Sequence, residues 1–212
     1  MAAQPGETKL IKILNLYAGI GGNRSEWGGG DITAVELNPE IAKIYKDFYP
    51  NDNVIVADAH DYLLRHFREY DFIWSSPPCQ THSRATLGNI NKEIFSYPDM
   101  TLYQEILLLK SLYKGKWVVE NVKPYYQPLI EPSFTIGRHY FWSSDFIMSP
   151  QFEEKLTENW ESIKLLQNAY KFDLTPYKLH TKFKRKILRN CVKPEIGKYI
   201  YDKLTKELIN DK

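Results

Sequence analysis

The stretch Ser76-Pro77-Pro78-Cys79-Gln80 constrains this chain more than any other. Each proline fixes its own φ and removes an amide donor, so the backbone here neither extends a strand nor starts a helix. The segment directly follows Tyr70-Asp71-Phe72-Ile73-Trp74-Ser75, an apolar run that reads as a buried strand ending in a tight turn. The outcome is a stiff turn presenting one thiol at the C-terminal end of a strand. In open α/β sheets, ligands bind and chemistry occurs at that edge. Cys79 is therefore read as a nucleophile rather than as packing material.

The other apolar runs are strand-length and supply the sheet. Leu10-Ile11-Lys12-Ile13-Leu14-Asn15-Leu16-Tyr17 is a first strand, apolar enough to be central. It breaks into Ala18-Gly19-Ile20-Gly21-Gly22, whose small residues let backbone approach a ligand closely. Asn23 to Trp27 is expected to form a short helix, stopped by Gly28-Gly29-Gly30. Asp31 to Glu36 is a second strand ending in a carboxylate. Asn38 then caps a helix with Pro39 in its first turn, running through Ile41, Ile44, Tyr45 and Phe48. Asn53 to Asp58 is a third strand, again ending in an acid. This order matches a Rossmann-like nucleoside site. Taken singly, the glycines read as steric turns and Glu36 and Asp58 as solvated strand ends. Glu36 follows the glycines at close to the roughly 20 residues expected of an acid that accepts from ribose hydroxyls. Jointly they favour a nucleoside-containing cofactor.

Beyond Cys79, Thr81-His82-Ser83-Arg84 through Asp99 is polar and suits a mobile active-site loop. Within it, His82 reads either as a solvated loop residue or as a phosphate or base contact. Thr101 to Leu112 is a helix burying Leu102, Ile106, Leu109 and Leu112. Lys116-Trp117-Val118-Val119 is a strand ending in Glu120-Asn121-Val122, a third acid at the edge that holds Cys79. Arg138 to Trp142 is a further strand. The 212 residues suffice for one core, and 43% hydrophobic with 25% charged residues is ordinary for a soluble protein. No apolar run is long enough to cross a membrane, and Met1 to Thr8 lacks the marks of a signal peptide. Two cysteines make no disulfide framework, so a reducing cytoplasm is the expected setting. Cys191, at the start of an apolar-faced helix, is expected to be core. No residue cluster has metal-ligand spacing, so no metal site is expected.

The order Leu16-Tyr17-Ala18-Gly19-Ile20-Gly21-Gly22, then Pro77-Pro78-Cys79-Gln80, then Glu120-Asn121-Val122 resembles the DNA (cytosine-5)-methyltransferase family. The pairing of Pro-Pro-Cys-Gln with a downstream Glu-Asn-Val is far more specific than the glycine loop. Leu188-Arg189-Asn190-Cys191-Val192 with Pro194 is similar to the family's tenth motif, although the family usually has glycine where Arg189 stands. Arg138 sits where the eighth motif supplies arginines, with the usual Gln-x-Arg-x-Arg pattern reduced to one.

The resemblance implies a Rossmann-like class I S-adenosylmethionine-dependent methyltransferase fold, α/β, with a mostly parallel twisted sheet and helices on both faces. The implied cofactor is S-adenosyl-L-methionine, with S-adenosyl-L-homocysteine as product. Gly19, Gly21 and Gly22 would pass its methionine part, Glu36 would hold the ribose and Asp58 the adenine amine. Tyr17, Ala18, Leu37, Ala59, Pro77, Asn190 and Val192 complete the implied cofactor set. Cytosine C5 is a poor nucleophile, and a thiolate adding at C6 turns the ring into an enamine able to attack an electrophilic methyl group. Cys79 would supply that thiolate, its pKa lowered by nearby positive charge or backbone donors. Glu120, protonated, would hydrogen-bond N3 and offset the charge developing there. Asn121 would fix the loop, and Arg138 would hold O2 of the base or the Glu120 side chain. A base in duplex DNA must be flipped out to reach such a pocket.

The family places a large target-recognition domain between its eighth and ninth motifs. Here only about forty residues, Ser143 to Lys182, occupy that place, below a normal domain size. They include an expected helix from Trp160 to Phe172 and the acids Glu153, Glu154, Glu158 and Glu161. Lys178 to Lys186 follows, basic without an acid, and reads either as a solvated face or as a phosphate-contacting strip. On the second reading Lys182, Lys184, Arg185 and Lys186 touch nucleic acid, with Gln80, Ser83 and Arg84 beside the nucleophile. A last helix, Pro194 to Ile209, sets Ile196, Ile200, Leu204 and Leu208 on one stripe against the sheet.

These expectations amount to a catalytic core over 1–142, a reduced recognition region over 143–182 and a C-terminal segment over 183–212, one domain overall. The implied activity is cytosine-C5 methylation of DNA by a monomer. The alternatives are an RNA (tRNA) cytosine-5 methyltransferase, or a silent or partner-dependent DNA-binding subunit. A separate specificity subunit would supply what the short region lacks.

Overall fold

The structure, a computed structural model, describes residues 10–84, 97–150 and 162–210. Five strands run parallel: β1 (Lys12–Leu16), β2 (Asp31–Glu36), β3 (Asn53–Val56), β4 (Phe72–Ser75) and β5 (Lys116–Val122). β6 (Phe134–Ile136) and β7 (His139–Ser143) complete one sheet in the order β3-β2-β1-β4-β5-β7-β6, and β7 alone runs against the rest. β1 is central because its residues are apolar on both faces.

Its two faces are covered differently. Ile13 of β1, Ile32 of β2 and Trp74 of β4 lie in one cluster with Ile196, Ile200 and Leu204 of α6 (Pro194–Asn210). Trp27 Nε1 donates to the Gly197 carbonyl at 3.2 Å, which docks the helix on the loop after β1. Leu14, Leu16, Ile73 and Val119 face the other way. They pack on Leu63 of α2 (Ala59–His66) and on Leu102, Ile106 and Leu109 of α3 (Thr101–Leu112). A third cluster joins Ile44 of α1 (Pro39–Phe48) to Leu166 and Tyr170 of α4 (Ile163–Tyr170) and to Ile187 and Leu188 of α5 (Thr181–Arg189). Ile200 is fully buried. Ile200→Ala is expected to destabilise the fold by about 2–5 kcal/mol, read as a lower urea midpoint with an unchanged slope. A midpoint equal to the parent's would mean that α6 adds nothing to the core.

Several sequence expectations need correction. Asn23 to Trp27 forms turns, not a helix. Arg24 there is held by a two-point ion pair to Asp52, at 3.0 and 3.1 Å, and Asn23 Nδ2 donates to Asn15 Oδ1 at 2.8 Å. Side-chain partners set this backbone more strongly than helix propensity does. The third strand ends at Val56, because Asp58 caps α2 by accepting from the Asp61 amide at 2.9 Å. Leu112 is exposed, so the buried face of α3 stops at Leu109. The helix expected from Trp160 is α4, which begins at Ile163 on a Ser162 cap. Residues 160 and 161, the four acids between 153 and 161, and the middle of the polar loop, 85–96, lie outside the described residues. Among the described residues, no helix is long and apolar enough to cross a membrane.

Candidate active site

Strand pairing lines up four strand ends. Leu16 stands beside both Val35 and Ser75, and Ser75 beside Val119. The residues that follow, Glu36, Tyr17, Ser76 and Glu120, therefore form one row at the C-terminal edge of the sheet. β1 and β4 flank the point where strand order reverses, the crevice in which open α/β sheets take ligands.

The glycine loop is held by contacts with its own chain. The Ala18 amide donates to the Val35 carbonyl at 3.0 Å, holding the loop against β2. Gly22 packs on the Asn190–Val192 segment, where a Cβ would come within 2.5 Å of Cys191 Cβ and 2.8 Å of the Val192 oxygen. Gly19 is different: its φ is +56°, and a Cβ there would meet nothing within 4 Å. Its amide donates to Glu36 Oε2 at 3.0 Å, and the Asn38 amide donates to Oε1 at 2.9 Å. Each oxygen keeps a second lone pair, and the space beside Gly19 is open. Leu37 and Asp58 are exposed at the same edge, whereas the side chains of Ala18, Ala59 and Val192 are packed in the core. For those three, ligand contact would come from backbone. This cradle fits a nucleoside-containing cofactor.

Cys79 leaves the same row three residues beyond Ser76. Asn121 Nδ2 donates to the Pro77 carbonyl at 2.9 Å, while Asn121 Oδ1 accepts from the Val122 amide at 2.9 Å. The buried Asn121 thus ties the Pro-Pro turn to the strand carrying Glu120. The Cys79 carbonyl accepts from the amides of His82 and Ser83 at 3.1 and 3.0 Å, so the chain turns sharply past the thiol. β4 stops opposite Val119, but β5 continues to Val122 by pairing with β7. That overrun sets Glu120 beside the turn. Ser76 donates to the Glu120 side chain and accepts from Trp74 Nε1 at 2.9 Å. Arg138 stands at the tip of the two-residue hairpin Gly137-Arg138, between β6 and β7.

Charge and burial here oppose one another. Burial pushes the Glu120 carboxyl up to about 7, although the Ser76 hydrogen bond and the Arg138 charge pull the other way. Burial, then the Glu120 charge, raises the Cys79 thiol above its ordinary 9.0; its own backbone hydrogen bond and Arg138 pull it down. The expected lowering of the Cys79 pKa is therefore not found, because desolvation outweighs the single arginine. His139 Nε2 lies 3.7 Å from Glu120 Oε1. Burial and the charges of Arg138, Lys193 and Lys123 hold His139 down to about 3. It is neutral and too distant for a hydrogen bond, so no ion pair forms there.

Other candidates divide. His82 is buried, with Nδ1 2.5 Å from the Tyr126 hydroxyl, so it is not a solvated loop residue. Gln80 and Arg84 are exposed, and Ser83 bridges to Pro124. Cys191 lies in the turn before α6, buried, with its thiol pushed up to about 12. The basic strip is helical: Phe183, Ile187 and Leu188 of α5 pack inward, which the run of lysines hides in the sequence. Lys182, Arg185, Lys186 and Arg189 share one cleft of about 320 Å³ with Asn190. Lys184 does not line it; its ammonium donates to the Leu174 carbonyl at 2.5 Å. A second cleft of about 390 Å³, at the opposite end of β5, has its Lys116 already paired with Asp145 and Glu207.

The solved structure of the Entamoeba histolytica methyltransferase EhMeth superposes with a TM-score of 0.59, covering 94% of this chain and 99% of its own at 12% identity. That likeness is one of fold: the chain has an α/β methyltransferase fold. The family of C-5 cytosine-specific DNA methylases matches residues 11–128. The chain belongs to that family. Over 80 residues it is 32% identical to the tRNA (cytosine(38)-C(5))-methyltransferase of Spodoptera frugiperda, spanning 34% of this chain and 24% of that protein. Over 122 residues it is 25% identical to the type II methyltransferase M.HgiBI of Herpetosiphon aurantiacus, spanning 56% of this chain and 27% of that one. The chain thus matches about a quarter of the length of these relatives.

Proposed function

We propose that this chain methylates C5 of cytosine in DNA, with Cys79 as the nucleophile. The observation that carries it is the buried Glu120, held near neutrality beside the Cys79 turn by the overrun of β5. S-adenosylmethionine, when bound, supplies an electrophilic methyl group. Glu36 would hold its ribose and Asp58 its adenine amine, while the loop backbone at Gly19, Gly21 and Gly22 would pass its methionine end. The Cys79 thiolate adds to C6 of a flipped base and makes C5 nucleophilic. Protonated Glu120 donates to N3 and steadies the charge that forms there. Arg138 faces the same charge, and Asn121 keeps the turn aimed. C5 would take the methyl group and leave S-adenosylhomocysteine; loss of the C5 proton to a solvent base would then return the electron pair that expels the Cys79 thiolate.

Transfer of labelled methyl from S-adenosylmethionine to purified DNA tests this, with bisulfite sequencing to locate the base. Label in DNA at C5 is expected. A folded chain that binds S-adenosylhomocysteine yet labels no DNA, alone or with a second protein, would overturn it. A second reading, RNA as substrate, draws on the 32% identity to the insect tRNA enzyme. The same assay on tRNA separates the two.

The α5 cleft would hold the phosphate backbone through Lys182, Arg185, Lys186 and Arg189. Each cation lost should lower the slope of log affinity against log salt by about 1. Arg185→Ala with Lys186→Ala is expected to lower it by about 2, read by fluorescence anisotropy across salt. Lys184→Ala is expected to leave it unchanged. An unchanged slope in the double variant would move the backbone contact elsewhere.

A further inference from the structure

Beneath the row of strand ends, three segments converge on one side chain. Glu105 of α3 is fully buried. The Tyr17 hydroxyl donates to its Oε1 at 2.6 Å and the Ser75 hydroxyl to its Oε2 at 2.5 Å. His60 Nδ1 lies 3.1 Å from Oε1. Each donor belongs to a different working segment. Tyr17 opens the glycine loop, with a left-handed backbone at φ 54 that a tyrosine rarely adopts. Ser75 ends β4 and launches the Pro-Pro-Cys turn. His60 is in the first turn of α2, whose cap is Asp58.

An acid on the face that carries Leu102, Ile106 and Leu109 is a poor choice for packing. A leucine there would avoid removing a carboxyl group from water. It could not accept from three donors at once. The acceptance also marks its partners: the Glu105 hydrogen bond raises the His60 pKa, and Glu105 adds to the rise that burial imposes on Tyr17.

We propose that Glu105 is a positioning residue for methyl transfer, locking the glycine loop, the start of the Cys79 turn and the first turn of α2 into one register. It rests on the methyltransferase reading above. Glu105 touches no reacting atom; it acts through Tyr17, Ser75 and His60. The Gly19–Glu36 hydrogen bond extends the same frame to β2, so cofactor cradle and thiol share one anchor.

Glu105→Gln tests this, because the amide keeps the size but its nitrogen cannot accept. Two readouts apply besides activity: S-adenosylhomocysteine affinity by calorimetry, and the rate of Cys79 alkylation by iodoacetamide. Cys191 is silent in the second, being buried with a raised pKa. Glu105→Gln is expected to weaken S-adenosylhomocysteine on the order of tenfold and to change the alkylation rate by a similar factor. Tyr17→Phe should move chiefly the first readout, and Ser75→Ala chiefly the second. This split is what a merely structural role would not produce, and it stands even if Glu105→Gln fails to fold. The proposal is overturned if folded Glu105→Gln matches the parent within about twofold in both readouts. It is equally overturned if Tyr17→Phe and Ser75→Ala move neither readout, or move both alike. A parent chain that does not bind S-adenosylhomocysteine at all would instead remove the methyltransferase reading, and this proposal with it.

Discussion

Cys79→Ala is expected to lower methyl transfer by on the order of 10⁴-fold or more, the scale seen when an enzyme loses its nucleophile. With the sulfur gone, no other thiol among the described residues stands at the sheet edge to add to C6. The nearest other thiol, Cys191, is buried against Gly22 and hydrogen-bonded to the Ile187 carbonyl at 3.4 Å. DNA carrying 5-fluorocytosine supplies the positive control. Fluorine at C5 cannot leave as a proton does, so the bond from sulfur to C6 persists and the complex survives denaturation. The parent chain should give that adduct by mass spectrometry, Cys191→Ala should give it too, and Cys79→Ala should not. Methylation without any adduct, or methylation by Cys79→Ala, would sink covalent catalysis here.

Glu120→Gln should change the shape of the pH profile as well as its height. The working form needs a thiolate and a protonated carboxyl together. Glu120 titrates near 7 and Cys79 above 9.0, so that form is a minority at every pH. Below 7 its population rises with pH as Cys79 ionises. Between the two values the gain in thiolate and the loss of the acid cancel, giving a plateau. Above the thiol's value it falls. The parent rate should therefore break near pH 7, although the group titrating there is required in its protonated form. In Glu120→Gln the rate should be lower and climb through neutrality without that break. A break near 7 that survives the substitution would assign it to another group.

Stability provides an independent check of the same carboxyl. Its pKa is about 7 folded against an ordinary 4.5, so the folded state holds the extra proton between those values. Stability is then fully present below 4.5 and declines as pH rises through 7, by at most about 3 kcal/mol. Glu120→Gln should melt above the parent at pH 8, and the gap should close towards pH 4.5. An equal gap at both ends would contradict the assignment.

The sequence made the sheet legible where apolar runs were long. β1, β2, β4 and β5 follow from them, and α1 from Asn38 and Pro39, whose cap the structure forms with two backbone amides. What stayed hidden was local structure decided by distant partners. Asn23 to Trp27 looked helical until Arg24 met Asp52. α2 went unread because Asp58 passes for a strand end and its helix carries only Ala59 and Leu63 inward. α5 was masked by its lysines. The Cys79, Glu120 and Arg138 neighbourhood was legible from motif order, but not the direction of the thiol's pKa, which depends on burial. Glu105 had a faint signal, an acid within the Leu102–Leu109 stripe, but its three donors come from remote parts of the chain.

The helix seated beside β1 is made long after the strands it covers. Ile13, Ile32 and Trp74 wait for Ile196, Ile200 and Leu204, so a ribosome still short of residue 194 carries a sheet with one greasy side bare. Contacts of such long sequence separation close slowly and leave intermediates prone to clumping. Synthesis rate and chaperone supply should therefore govern the yield of this protein more than the strength of its finished core.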